Sequence, residues 1–160
     1  MSTFDVRRTA DAPPETVFGV FTDHRKYAAL VTAIRSSVLE REGDPRPNGV
    51  GAVRRLHMPG VTVREQVTVY ERPGRYSYQL VSGLPLRHFT ATVTFTPVQH
   101  QRTRTEVVYS VTVEPRLRVL KPVLSKVVKK AIADFTDAAV ARAEALTAST
   151  ATQGHPPGSG

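Results

Sequence analysis

From Phe4 to Thr9 apolar and polar residues alternate, with Phe4 and Val6 on one side, the period of a strand with one buried face. The pattern changes at Asp11-Ala12-Pro13-Pro14-Glu15. Proline is tolerated in a first helical turn and an acid is favoured at the positive end, so a helix begins there with Val17, Phe18 and Phe21 on one face. A second short helix is predicted from Asp23 through Tyr27 to Leu30, because Tyr27, Leu30 and Val31 recur at helical spacing and Asp23 can cap it.

From Ile34 the period returns to two. Strands are predicted over about Ile34 to Glu40, Gly51 to His57, Val61 to Glu71, Arg75 to Ser82, His88 to Pro97 and Arg104 to Val113. Pro59-Gly60, Pro73-Gly74 and the stretch from Gly83 to Arg87 interrupt them, and consecutive strands joined by short turns pair antiparallel. Beyond Glu114-Pro115-Arg116, the residues Leu117, Leu120, Leu124, Val127, Val128, Ala131, Phe135, Ala138, Ala139 and Leu146 mark a long helix, with Pro122 in its first turn. The pattern predicts an α+β chain in which a curved antiparallel sheet of about seven strands wraps a long C-terminal helix. A single domain over residues 1–146 is expected, followed by a small, polar and disordered tail over 147–160.

Composition adds exclusions. With no cysteine there is no disulfide, thiolate metal site or cysteine nucleophile, which suits a reducing cytoplasm. No apolar run approaches a membrane span and the N-terminus lacks a leader pattern, so a soluble cytoplasmic protein is expected. The 22 Lys and Arg against 14 Asp and Glu give a net charge of +8, which favours anionic partners. Only Lys126, Lys129 and Lys130 cluster, and no zinc finger, helix-turn-helix or aromatic RNP-like motif accompanies the charge, so nucleic acid is not the expected partner.

The order of elements resembles the helix-grip fold of the START and Bet v 1-like group, the SRPBCC superfamily. The stretch from Ala12 to Asp23 resembles the opening helix of its polyketide cyclase/dehydrase branch. Asn48-Gly49-Val50-Gly51-Ala52-Val53-Arg54 resembles its glycine-bounded third strand, and Arg64 to Glu71 with Pro73 to Tyr78 the hairpin that follows. The chain departs from many relatives with Tyr109 where tryptophan is common, and in lacking a glycine in the turn before Arg104. The resemblance implies a cavity between sheet and helix that takes lipids, polyketides or other hydrophobic molecules; it transfers no reaction.

Alternation selects the side chains that face such a cavity. Val61, Val63, Glu65, Val67 and Val69 share one face; Tyr76, Tyr78 and Leu80 another; then Phe89, Ala91, Val93 and Phe95; then Val107, Tyr109, Val111 and Val113. Ala52, Arg54, Leu56 and Met58 form the more apolar register of the third strand, which turns Arg54 inward beside the strand bearing Glu65. A carboxylate in an apolar row must lose its charge or find a cation, and Arg54 is the expected cation. The pair either fixes sheet register or sits in the cavity, with Arg54 orienting a ligand oxygen and Glu65 acting as acceptor or base.

The candidate ligand-binding set is therefore Arg54, Glu65, Val67, Tyr76, Tyr78, Leu84, Phe89, Ala91, Val93, Tyr109, Val128 and Phe135, with Glu65 and Arg54 the candidates for catalysis. Leu84 and Leu86 sit in a loop that either closes the cavity mouth or is an ordinary hairpin turn. His57 and His88 lie near strand ends without metal-ligand spacing, so no metal is expected, and no organic cofactor is required. The first reading is a carrier, sensor or storage protein for a hydrophobic small molecule. A polyketide cyclase or dehydratase using the same cavity is the second. The third is lipid delivery at an anionic membrane surface through Lys121, Lys126, Lys129, Lys130 and Arg142. Oligomeric state is left open.

Overall fold

A computed structural model describes residues 1–153. Strand β1 (Ser2–Ala10) leads into helix α1 (Pro14–Thr22), a 3-10 turn at His24–Lys26 and the short helix α2 (Tyr27–Leu30). Six strands follow: β2 (Ser36–Arg41), β3 (Val53–Met58), β4 (Val61–Glu71), β5 (Arg75–Ser82), β6 (Leu86–Val98) and β7 (Gln101–Pro115). A 3-10 turn at Arg118–Leu120 then leads into helix α3 (Lys121–Gln153). The strands form one antiparallel sheet in the order β1-β7-β6-β5-β4-β3-β2, so the meander returns beside β1. This is the helix-grip fold.

Helix α1 starts where the sequence dictates, with Pro13 at the N-cap, Pro14 in the first turn and Glu15 beside the positive end. Its face of Val17, Phe18 and Phe21 is buried. Gly83 ends β5 with φ 110°, and a β-carbon there would strike the Thr62 carbonyl oxygen, so only glycine permits this close approach.

Helix α3 is 33 residues long, about 50 Å at 1.5 Å per residue. It runs seven residues past Leu146, correcting the expectation of a disordered tail for 147–153; residues 154–160 of that expected tail lie outside the described residues. The threonines there do not break the helix, because Thr147, Thr150 and Thr152 return their hydroxyls to the carbonyls of Ala143, Leu146 and Ala148 at 2.9, 3.0 and 3.0 Å.

The two halves of α3 are sealed differently. Thr136, Ala139, Val140 and Ala143 are buried against the core, whereas Leu124, Val128, Ile132 and Phe135 are only half-buried. Small residues let the C-terminal half approach closely; the larger ones hold the N-terminal half further off. Among the described residues no helix is long and apolar enough to cross a membrane.

Candidate functional site

The turn at Pro59-Gly60 pairs Met58 with Val61, and counting back along the antiparallel ladder places Arg54 directly opposite Glu65. Both side chains point inward. Arg54 is 3% exposed and Glu65 8%. The Arg54 Nε donates to Glu65 Oε2 at 2.8 Å. Its Nη1 donates to the Tyr27 hydroxyl at 3.2 Å and to the Tyr76 hydroxyl, and Tyr27 donates onward to the Phe21 carbonyl. The guanidinium carbon lies 5.3, 5.4 and 4.7 Å from the ring centroids of Tyr27, Tyr76 and Tyr78, within reach of cation–π attraction. Its Nη2 makes no hydrogen bond among the described residues.

These contacts fix the charge states. Burial opposes the Arg54 charge, but the oxygens of Tyr27, Tyr76, Glu65 and Tyr78 more than offset it and hold its pKa well above the ordinary value. Burial, the largest cause in each case, raises the pKa of Tyr27, Tyr76, Tyr78 and Tyr109 above that of a free phenol. All four hydroxyls therefore stay protonated at neutral pH. The site holds a permanent cation, one carboxylate bound to it and a ring of neutral donors, with the Tyr78 and Tyr109 hydroxyls bonded to each other.

The other sequence-predicted residues fall around this centre. Val67 pairs with Tyr78, Tyr78 with Ala91, and Val93 with both Tyr76 and Tyr109, so these six share the inner face and are buried. Phe89 stacks at a tilt on Tyr78, 6.0 Å between centroids. Leu84 and Val128 are half-buried at the edge of the core, and Phe135 of α3 meets the Tyr27 ring edge-on at 4.9 Å. Past Val67 the register slips at a bulge, so Tyr70 rather than Val69 pairs with Tyr76 and packs edge-on against Phe18 at 5.2 Å. Val69 leaves the inner row as a result.

The hollow expected between sheet and helix is occupied at its centre. Phe21 meets Phe95 at 5.2 Å and Phe135 at 5.7 Å, and Phe18 meets Phe95 at 5.5 Å. Tyr76, Tyr78, Ala91, Val93 and Tyr109 are each at most 5% exposed, so no sizeable void faces them. Open space lies elsewhere. A cavity of about 200 Å³ at the β5–β6 turn is lined by Leu80, Leu84, Leu86, His88, Phe89 and Arg116. Leu80 joins it to the buried centre, because it is the cross-strand partner of Glu65. A groove of about 600 Å³ on the outer side of α1 is lined by Glu15, Gly19, Asp23, Lys26, Arg142 and Leu146, among others. Arg142 thus lines this groove, some 30 Å along α3 from Lys121.

Two residues escaped the sequence reading. Tyr27 read as one member of a helical apolar stripe, yet it supplies a hydroxyl to Arg54; its polar tip was the only signal. His24 is 2% exposed, hydrogen-bonds Ser37 Oγ through Nδ1 at 2.8 Å and leaves Nε2 without a partner among the described residues. Burial, then the nearby Arg54 charge, lowers its pKa below 6.5. Of the rim histidines, His88 lines the 200 Å³ cavity, while His57 lies 3.3 Å from the Thr62 hydroxyl near the β3–β4 turn.

Comparison with known proteins follows the fold. The family model described as "Polyketide cyclase / dehydrase and lipid transport" matches residues 1–144. Similar solved structures include a START superfamily protein from Mycobacterium smegmatis, 17% identical, covering 91% of this chain and 99% of that one with a TM-score of 0.77. The Zhui aromatase/cyclase from Streptomyces sp. R1128 is 18% identical, with 89% and 93% covered and a TM-score of 0.76. The structure titled Ara h 8.0201 is 18% identical, with 89% and 97% covered and a TM-score of 0.74. No curated protein matches by sequence. At these identities the structures show a shared fold, and the family model shows membership: the chain belongs to the polyketide cyclase/dehydrase and lipid transport family of the SRPBCC superfamily.

Proposed function

Because the chain belongs to this family of hydrophobic-ligand proteins, we propose that it binds an apolar small molecule bearing one oxygen-rich end, and holds that end at Arg54. The observation that carries the reading is the buried guanidinium with an unengaged Nη2. A cation this deep is costly unless its donors are used, and Glu65 and two phenols take only Nε and Nη1. A ligand carbonyl, enol or carboxylate would complete the set, and the rings of Tyr76, Tyr78 and Phe89 offer faces for a flat apolar body.

Entry is at the β5–β6 turn, where Leu80, Leu84 and Phe89 line open space and Arg116, just past β7, lies close. The 200 Å³ there suits about one small ring, so a larger guest displaces Leu84 rather than filling a void. The site favours a carrier, sensor or storage protein, since its phenols are held neutral and its carboxylate is tied to Arg54. The same convergence of a cation, a carboxylate and phenol hydroxyls favours one second reading, a polyketide cyclase or dehydratase in which Glu65 takes up the substrate's α-proton and Arg54 stabilises the enolate left behind.

Binding of the anionic apolar dye anilinonaphthalene sulfonate, followed by fluorescence, tests the site. The double variant Arg54→Met with Glu65→Leu should lose tenfold to a hundredfold in affinity, the weight of one charge-assisted hydrogen bond. A folded double variant that binds as tightly as the parent chain would remove Arg54 from the site. Turnover of a poly-β-ketone by the parent chain, lost in that variant, would select the enzyme.

A further inference from the structure

The stretch from Pro115 to Ala133 holds Arg116, Arg118, Lys121, Lys126, Lys129 and Lys130 and no acidic residue. It also holds the most exposed apolar side chains of the chain's C-terminal half. Leu117 is 60% exposed, Val119 79%, Val123 61% and Val127 59%. Val123 and Val127 are one turn apart on the same exposed side of α3, Val119 lies in the 3-10 turn Arg118–Leu120 just ahead of it, and Leu124, Val128 and Ile132, further round the helix, pack inward. These exposed side chains form a second apolar face that nothing covers among the described residues.

The charges around it narrow what covers it. Lys129 lies over the Phe4 ring and Lys130 pairs with Asp134 at 2.7 Å, but Arg116, Arg118, Lys121 and Lys126 have no acidic partner among the described residues. A second copy would set this positive patch against itself, and like charges across an interface oppose association. Nucleic acid would satisfy the cations and gain little from four exposed aliphatic side chains. An anionic bilayer satisfies both: valine and leucine enter the headgroup boundary while arginine and lysine meet the phosphates. The backbone N–H of Arg116 also donates to the Pro85 carbonyl at 3.1 Å, so the patch is joined to the loop that carries Leu84.

We propose that the β7–α3 junction and the outer face of the first turns of α3 form a docking surface for an anionic lipid bilayer, with Leu117, Val119, Val123 and Val127 inserted and Arg116, Arg118, Lys121 and Lys126 on the headgroups. The proposal does not depend on what the interior binds. It places the mouth at Leu84 next to the membrane, so a guest taken from lipid need not cross water.

Flotation of the full chain with vesicles tests it, using phosphatidylcholine mixed with phosphatidylglycerol against phosphatidylcholine alone. The chain should float with the anionic vesicles only and be released by salt. Lys121→Ala and Lys126→Ala should each weaken binding about fivefold. Val123→Glu with Val127→Glu should abolish it, with circular dichroism and interior dye binding unchanged because both positions face solvent. Equal binding to both vesicles, no binding to either, or undiminished binding of the valine variant would overturn the proposal. Salt-insensitive dimerisation in sedimentation that the valine variant loses would also overturn it, by making a second copy the occupant.

Discussion

Cutting one side of the Arg54–Glu65 pair should cost far more than cutting both. Glu65→Leu removes the carboxylate that accepts from Nε at 2.8 Å and leaves a cation that is 3% exposed with only phenol oxygens around it. Breaking a buried pair from one side costs about 3–5 kcal/mol, and for a chain of this size each kcal/mol lowers Tm by roughly 2–4 °C. The expected fall is therefore roughly 6–20 °C. Arg54→Met strands Glu65, takes a donor from the Tyr27 and Tyr76 hydroxyls, and removes the cation from three aromatic faces, so its cost should be at least as large. The double variant puts two apolar side chains in a site already walled by Leu56, Val63 and Tyr78, and should match the parent within about 1 kcal/mol or exceed it. Urea denaturation followed by far-UV circular dichroism supplies all three values. A single variant costing less than about 1 kcal/mol, or a coupling energy near zero, would refute the geometry claimed for the pair. A stable double variant that no longer binds the anionic dye would show that the pair serves binding at the expense of stability.

Three further outcomes are expected. His24 is held neutral by burial, so its folded pKa is below 6.5 while the unfolded chain takes up a proton near that value; stability should be steady above about pH 6.5 and fall as pH drops below it, and His24→Gln should flatten that fall in urea titrations across pH. Gly19 lies inside α1 with nothing within 4 Å of a β-carbon placed there, so Gly19→Ala should stabilise by about 0.5–1 kcal/mol, and a lowered Tm would contradict the open groove beside it. Amides from Val123 to Phe135 should exchange hydrogen faster than those from Thr136 to Leu146, and an interior ligand should slow the first set; uniform protection along α3 would show that both halves are equally sealed.

Alternation and short turns made most of the sheet readable. Once Pro59-Gly60 is taken as a tight turn, the facing of Arg54 and Glu65 follows by counting, and the apolar row Ala52, Leu56 and Met58 decides that both point inward. What alternation cannot carry is a slip in register. The bulge after Val67 adds a residue to one strand, so Tyr70 takes the inward place that parity assigns to Val69. The reach of Tyr27 to Arg54 was equally hidden, since it depends on how α2 sits across the sheet and no local spacing encodes that. The end of α3 misled for a chemical reason: threonine and serine read as a loop, yet their hydroxyls bond back within the helix. The filling of the interior was out of reach as well, because a list of inward side chains gives the lining and the curvature of the sheet decides how much space remains.

The packed interior changes how the family's ligand-binding habit has to operate in this chain. Phe21, Phe95 and Phe135 lock together where α1 and α3 cross the sheet, so a guest cannot enter from that end without breaking edge-to-face pairs. At the other end the helix is held off by Leu124, Val128 and Ile132, the loop carrying Leu84 is only half-buried, and open space begins at Leu80 beside Glu65. On the proposed reading a guest entering there passes Leu80, Leu84 and Phe89 before it reaches Arg54. The exposed stripe of valines starts at this same end of α3. The proposed mouth and the proposed membrane contact are thus joined through the Arg116–Pro85 hydrogen bond, and the proposed anchor is reached from the mouth through Leu80 and Glu65.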